Sequence, residues 1–334
     1  MTGSGGNIVL KLIRRTAALA LGFGLAAGLT NLSARADDYP NRPVRLDVGF
    51  IPGSSADITA RVLGNRMSQI LGQQFVIENK PGAGSSLAAE QAARSPKDGY
   101  TLFLGSSANI TNQAILPSVA FDMTKDFAPI ALATTAAVIL VAHPSVGVNS
   151  LKELIALAKS KPGEILYAST GVGTAPHLAA ELFSVRAGVK LVHVPYQGSP
   201  QAVTDLLAGR TAIMFSPASA VIANVHAGTL KALASAATKR PGIAPDLPTM
   251  AEAGMPDFDT SIWFGLMAPA GTPREVIEKL ARALNEALKS DEVLNTFKTQ
   301  GFDPLGGTPE ELASFMTTEV KKWSDAAQAA GLKK

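Results

Sequence analysis

The sequence predicts an α/β protein of two lobes, each with its own sheet, joined by two crossovers that act as a hinge. Three observations predict it. From Arg42 onward, short β-branched runs pass into Gly/Ser/Pro loops and then into helical patterns, which is the order of parallel α/β structure. That alternation comes in two series, the second opening after His143-Pro144. The last third of the chain is helical with no sheet of its own to cover, so it folds back on the first series. The predicted division is 37–139 plus 264–334 for one lobe and 140–263 for the other. The crossovers fall near 132–142 and 261–269.

Residues 44–50 read as a strand and 56–71 as a helix, because Ile58, Val62, Leu63, Met67, Ile70 and Leu71 fall on one face. A second strand is expected over 74–78, a helix over 87–94 after the loop Lys80-Pro81-Gly82-Ala83-Gly84-Ser85-Ser86, and a third strand over 100–105 after Pro96-Lys97-Asp98-Gly99. The apolar run 130–142 reads as one buried strand. The second series is helix 150–160, strand 165–169, helix 176–186, strand 190–194, helix 200–208, strand 211–215, helix 218–226 and strand 230–236. After the returning strand, helices are expected over 273–289, 291–299 and 309–329. Thr272-Pro273-Arg274-Glu275 and Thr308-Pro309-Glu310-Glu311 mark two of their starts, with a capping threonine, a first-turn proline and acids against the helix dipole.

A chain of 334 residues suits two domains of about 150 residues each. With 46% hydrophobic and 17% charged residues it has the apolar surface for two cores. Cysteine is absent, which excludes disulfides, thiolate metal sites and a cysteine nucleophile. The net charge of +3 resides in the first 36 residues, where Lys11, Arg14, Arg15 and Arg35 meet no acid; removing those four charges leaves −1. The remainder has no basic field to draw it onto nucleic acid. Lys11, Arg14 and Arg15, an Ala/Leu/Gly stretch from Thr16 to Leu32, and Ala34-Arg35-Ala36 form the three parts of a secretory signal. Residues 1–36 are therefore expected to be removed after Ala36 and the rest exported to the periplasm.

Two loops form a pair. Phe50-Ile51-Pro52-Gly53-Ser54-Ser55-Ala56-Asp57 joins a strand to a helix in the first series, and Ser169-Thr170-Gly171-Val172-Gly173-Thr174-Ala175-Pro176-His177 does so in the second. Each is small, rich in hydroxyls, and opens a helix whose first amides have no acceptor within the helix. A carboxylate placed there gains about 0.3–2 kcal/mol from the dipole and about 1.5–3 kcal/mol per charge-assisted hydrogen bond. Either loop alone is an ordinary feature of α/β proteins; one in each lobe points to a small anion gripped from both sides. Phe50, Gly53, Ser54, Ser55, Ala56 and Asp57, with Ser169, Thr170, Gly173, Thr174, Ala175 and His177, are the candidates. Asp57 reads first as a helix-start acid that orders its loop, and His177 as the one of four histidines placed for function. Lys80, Arg94 and Lys97 read as solvated turn charges. Trp263 reads as buried in the hinge and Trp323 as an apolar-face residue of the last helix.

Signatures of catalysis are missing: there is no GxSxG, HExxH or GxxxxGK[ST], and Gly171-Val172-Gly173-Thr174-Ala175-Pro176 ends in proline where a dinucleotide loop needs glycine. No metal or cofactor is expected. The competing enzyme reading is an exported serine hydrolase using Ser54, Ser85 or Ser106.

From Tyr39 to its end the chain resembles the extracytoplasmic solute receptors of tripartite tricarboxylate transporters, the Bug receptors. The resemblance is carried by Tyr39-Pro40, Arg42-Pro43, Pro52-Gly53 with Asp57 and Ala60-Arg61, Leu71-Gly72-Gln73, and Glu78-Asn79-Lys80-Pro81-Gly82-Ala83-Gly84. It continues through Asp98-Gly99-Tyr100-Thr101-Leu102, Lys125-Asp126-Phe127, Gly171-Val172-Gly173-Thr174, His177-Leu178, Glu181-Leu182-Phe183 and Val194-Pro195-Tyr196. It implies a periplasmic-binding-protein-like (Venus flytrap) fold and a monomer that is not an enzyme. Such a receptor closes on a small carboxylate and passes it to membrane subunits of a tripartite transporter; a ligand sensor for a two-component kinase would use the same binding physics. It also adds Ser106, Ser107, Asn109 and Ser216 as pocket residues. The chain departs from the family pattern at Ser54, where a second glycine is usual, and at Ser216, where receptors for amino acids often carry an acid. Those departures point to a mono- or dicarboxylate, aromatic acids included.

Overall fold

The computed structural model describes residues 39–116 and 118–329; the signal-peptide reading lies outside the described residues. The first series is β1 (Val44–Val48), α1 (Ser55–Leu71), β2 (Phe75–Asn79), α2 (Ser86–Ala93), β3 (Thr101–Ser106), α3 (Ser107–Ile115) and β4 (Phe127–Ala136). The second is β5 (Val138–Ala142), α4 (Leu151–Ser160), β6 (Ile165–Ser169), α5 (Ala175–Ala187), β7 (Leu191–Pro195), α6 (Ser199–Leu207), β8 (Ile213–Pro217), α7 (Ala218–His226) and β9 (Lys231–Ser235). The chain returns through β10 (Ile262–Pro269), α8 (Arg274–Ala287), α9 (Asp291–Gln300), β11 (Phe302–Gly306) and α10 (Pro309–Ala329).

These strands form two mixed sheets, ordered β11-β4-β10-β3-β1-β2 and β7-β6-β8-β5-β9. The sheets share one plan. In the first, β1 is flanked in parallel by β2 and β3, with β10 antiparallel to β3. In the second, β6 is flanked in parallel by β7 and β8, with β5 antiparallel to β8. Each antiparallel strand has arrived from the other series. In both sheets the chain moves from the central parallel strand to one side and then crosses back to the other. Right-handed crossovers therefore put the two helices on opposite faces, and the gap above the strand ends lies between β1 and β3, and between β6 and β8.

The expected strand over 130–142 is two strands in two sheets. It breaks at Ala137, whose carbonyl leaves the ladder to accept the Ala218 N–H at 2.9 Å. The two passages between sheets are tied to each other: Ala236 N–H donates to Val138 O at 2.8 Å and Thr260 N–H to Ala236 O at 2.9 Å. Two elements are additional to the expected set. In α3, Asn109, Thr111 and Asn112 are all fully buried, so the helix has no polar face and no readable period. β11 contains Pro304 and pairs along one edge only, with β4, where proline is tolerated because no ladder donor is needed.

Trp263, at the start of β10 opposite Thr135, packs in the core of the first sheet. It is buried with Phe103, Met267, Leu312 and Trp323, edge-on to Phe315. Its indole N–H and that of Trp323 both donate to Glu319 Oε2 at 3.1 Å. Lys80 is not simply solvated, since its ammonium lies 2.9 Å from Asp47 Oδ1, a fully buried carboxylate. Among the described residues no helix is long and apolar enough to cross a membrane.

Candidate functional site

The loops after β1 and β6 are built for close backbone approach. Gly53 (φ +77°), Gly171 (φ +131°) and Gly173 (φ +76°) lie where L side chains are strained. Ser54 caps α1, accepting the Asp57 N–H on its hydroxyl at 3.3 Å. Thr174 caps α5 with its backbone, while its hydroxyl donates to Gly171 O at 2.7 Å and accepts from the Thr170 hydroxyl at 3.1 Å. Ser106 and Asn109 form the corresponding box at α3, the Asn109 carbonyl oxygen accepting the Ser106 N–H at 2.9 Å.

These starts meet at one cavity of about 30 Å³. Lobe one contributes Phe50, Ser54, Ser55 and Ala56 at α1 and Ser106, Ser107 and Ala108 at α3. Thr170, Thr174, Ala175 and Pro176 line it at α5, Gly198 and Ser199 at α6, and Pro217 at the end of β8. Ile262 and Phe264 of β10 complete the wall. No lining residue is charged. The amides of Ser55, Ala56, Ser107, Ala108, Ala175 and Ser199 precede the first acceptor inside their helices, so four helix N-termini present N–H groups and positive dipole ends at this place. The volume has room for about two water-sized groups, the scale of one carboxylate.

Of the residues expected from sequence, Phe50, Ser54, Ser55, Ala56, Ser106, Ser107, Thr170, Thr174 and Ala175 line the cavity. The others stand behind the wall. Gly53 supplies its N–H to Asp57 Oδ2 at 2.9 Å. Asp57 is occupied: Arg61 Nε also donates to Oδ2 at 3.0 Å, and Asn79 Nδ2 to Oδ1 at 2.9 Å. Burial opposes its ionisation, but the hydrogen bonds from Arg61, Gly53 and Asn79 prevail and hold its pKa below the usual value. Asp57→Ala is therefore expected to cost about 2 kcal/mol of stability, read by urea denaturation at pH 7. Unchanged stability with lost binding would assign the carboxylate to a ligand instead.

Ser169 and His177 also serve the second loop from behind. His177 Nδ1 accepts the Gly173 N–H at 3.1 Å, and its ring stacks on His193 with centroids 4.3 Å apart. His193 Nε2 lies 2.6 Å from the Ser169 hydroxyl, which accepts the Gly171 N–H at 3.1 Å. Ser216 is fully buried in β8 with its hydroxyl on Pro217 O at 3.1 Å. None of the three proposed nucleophiles Ser54, Ser85 and Ser106 has a hydrogen bond to histidine. Gly198 and Ser199 were legible: Gln197-Gly198-Ser199-Pro200 repeats the small-loop-before-helix pattern of the other two. Among the described residues no cluster of three His, Asp or Glu could hold a metal.

The two sheets touch across the cavity. The hydroxyls of Ser55 and Ser219 are 3.1 Å apart. Thr111 Oγ1 donates to Gly173 O. A Cβ on Gly173 would lie 1.5 Å from Asn112 Oδ1, and one on Gly84 2.5 Å from Val172 O.

Residues 59–332 match the family model described as tripartite tricarboxylate transporter family receptor. BugT of Bordetella pertussis is 37% identical over 315 residues, 94% of this chain and 97% of that protein. A Rhodopseudomonas palustris protein solved with adipate superposes with a TM-score of 0.84 at 34% identity, over 88% of this chain and 99% of that one. MatC of the same organism, solved with bound malate, gives 0.82 at 32% identity, over 86% and 99%.

Proposed function

The chain belongs to the tripartite tricarboxylate transporter receptor family, and from that premise we propose that it captures a small organic carboxylate between its lobes and delivers it to the membrane subunits of a tripartite transporter. The family is one of periplasmic solute-binding receptors, not enzymes. The observation that carries the ligand class is the meeting of four helix N-termini, two from each sheet, on a cavity without a charged side chain. Such a place favours an anion of carboxylate size and offers a cation no charged partner. Adipate and malate in the neighbouring structures agree with that chemistry.

The mechanism is linkage. Contacts to loops of both lobes exist together only in the closed arrangement, so ligand shifts the population toward it; no bond is made or broken. The residues 37–139 with 264–334, and 140–263, are the two moving bodies in this reading. At a hundredfold excess over Kd a ligand adds about 2.7 kcal/mol of stability. A thermal-shift screen over mono-, di- and tricarboxylates, aromatic acids included, is expected to yield at least one rise of several degrees. Silence across that panel, confirmed by calorimetry, would refute the carboxylate reading.

A further inference from the structure

Segments of the two sheets also press on each other outside the cavity. Gly301 closes α9 and precedes Phe302, which opens β11 opposite Ala136, the last residue of β4 before the chain crosses to the second sheet. Phe302 anchors it, being buried and edge-on to Phe297 of α9, and the backbone turns at Gly301 with φ +68°. Against this turn lies Ile243 of the second series. A Cβ on Gly301 would fall 2.8 Å from Cγ2, 3.0 Å from Cδ1 and 3.1 Å from Cβ of Ile243, so bare backbone meets the isoleucine side chain with no room between. Ile243 has little freedom to retreat. It packs against the core of the second sheet that contains Val221, Leu230 and Leu247. Its loop is braced by Arg240 Nε donating to Glu252 Oε2 at 2.9 Å and by the Thr249 N–H donating to the same oxygen at 2.8 Å.

The position of this seam gives it a mechanical meaning. In the first sheet the crossing strands β4 and β10 separate β11 from β3 and β1. In the second, β5 and β9 lie to one side of β8, β6 and β7, and Pro248 and Met250 pair with Ser235 along the outer edge of β9. The helix starts that line the cavity follow β1, β3, β6 and β7. The cavity therefore stands on one side of the crossing strands and the Gly301–Ile243 seam on the other. A rotation about those strands that parts the cavity walls drives Gly301 and Ile243 together, and groups already packed at van der Waals distance yield little. We infer that the seam is a stop on opening. It limits how far the two bodies part, keeps the protein near its closed arrangement before ligand arrives, and so sets the fraction competent to hold ligand. This rests on the closure reading above and adds to it a place that tunes affinity without touching the ligand.

Two substitutions push the stop in opposite directions. Gly301→Ala adds a methyl group at the point of contact and favours the closed arrangement; Ile243→Ala empties the same space and lets the bodies part further. Gly72→Ala is the control, with φ +70° but nothing within 4 Å of its Cβ, so it bears the backbone cost alone. The chain has no cysteine, so Val76→Cys in β2 and Val192→Cys in β7, both exposed and on the sheet edges remote from the seam, place spin labels at two positions only. Pulsed electron resonance on the mature protein then reads the distance between them, without ligand and with malate or adipate. Gly301→Ala is expected to shift the ligand-free distribution toward shorter distances and to tighten binding of malate or adipate about threefold to tenfold. Ile243→Ala should do the reverse, and Gly72→Ala should leave both unchanged. If either anion shortens the distance in the unaltered protein but neither Gly301→Ala nor Ile243→Ala moves the ligand-free distribution, the stop is wrong while closure stands. If neither the anions nor the substitutions move it, closure and stop fall together. A longer distance in Gly301→Ala would reverse the lever and overturn the assignment.

Discussion

Gly173→Ala is expected to weaken ligand binding by at least about 100-fold while leaving a folded protein. Two independent penalties act at this residue. Its φ of +76° costs a residue with a Cβ about 1–2 kcal/mol. The added carbon would also lie 1.5 Å from Asn112 Oδ1 and 2.7 Å from its Cγ, and Asn112 cannot swing aside without releasing the strained turn at Ala83 (φ +47°), whose carbonyl its amide nitrogen holds. Asn112 stands on the first sheet's side and Gly173 on the second's, so under the proposed closure the clash exists only when the two bodies are together. The open form escapes it, so the closed fraction falls and apparent affinity falls with it. The Thr111 bond to Gly173 O is lost by the same displacement. The check is calorimetry with whichever carboxylate the screen selects, alongside the melting temperature of the ligand-free protein, expected to drop by only a few degrees. Gly188→Ala is the control, since it has φ +62° but nothing within 4 Å of its Cβ, so it bears the backbone cost without the clash and should bind normally. Removing the Asn112 side chain in the Gly173→Ala background should recover part of the affinity. Binding within threefold of the unaltered protein in Gly173→Ala would show that these two loops do not close on each other.

That argument depends on residues the sequence could reveal only in part. The loops at 50–57 and 169–177 were legible because a glycine-rich turn before a helix start has one local meaning whatever surrounds it. Their convergence was inferred from the repeated strand-helix order, and the matching topology of the two sheets is what realises it. Asn112 illustrates what stays hidden, and Asn109 enters only through the family resemblance. They sit on a helix buried on every side, where apolar periodicity vanishes, and their partners at 83–86 lie more than twenty residues away. His177 reads from sequence as a ligand-binding residue, whereas its ring stacks on His193 and accepts the Gly173 N–H, contacts that only the tertiary structure supplies. The break at Ala137 was illegible for a similar reason, since a run of apolar residues looks the same whether it serves one sheet or two.

The histidine stack carries the second large effect, a loss of stability in mild acid. His193 lies between Tyr167 and His177, with centroids 4.8 and 4.3 Å away, and the Tyr167 hydroxyl is turned to Glu181 Oε1 at 2.5 Å. Burial, and then the neighbouring His177, push the His193 pKa down from 6.5 to about 4. Burial also lowers that of His177, against the pull of Glu181. The unfolded chain therefore takes up a proton at His193 once pH drops below about 6.5, and the folded chain refuses it until about 4. Stability present above pH 6.5 is lost steadily over that interval, by less than the full shift would give because the ring is only half buried and partly screened by solvent. Asp47 works against this loss, since burial raises its pKa despite Lys80 and Arg45 and the folded chain takes up its proton more readily; the carboxylates of lowered pKa do not enter the interval. Asp57 is held below its usual range by its hydrogen bonds despite burial, and Asp122, partly buried but bonded to Lys125 and Thr124, titrates at about 2. Their contributions begin to disappear only below about 4. Urea midpoints at pH 7.0 and 4.5 should thus differ strongly in the unaltered protein and much less in His193→Gln. Ligand affinity should also fall as the pH drops below 6.5, because protonation of His177 at Nδ1 removes the acceptor for the Gly173 N–H and frees the loop that closes on the carboxylate. Equal midpoints at the two pH values, or an undiminished loss in His193→Gln, would mean that these rings are protonated in the folded protein at no cost.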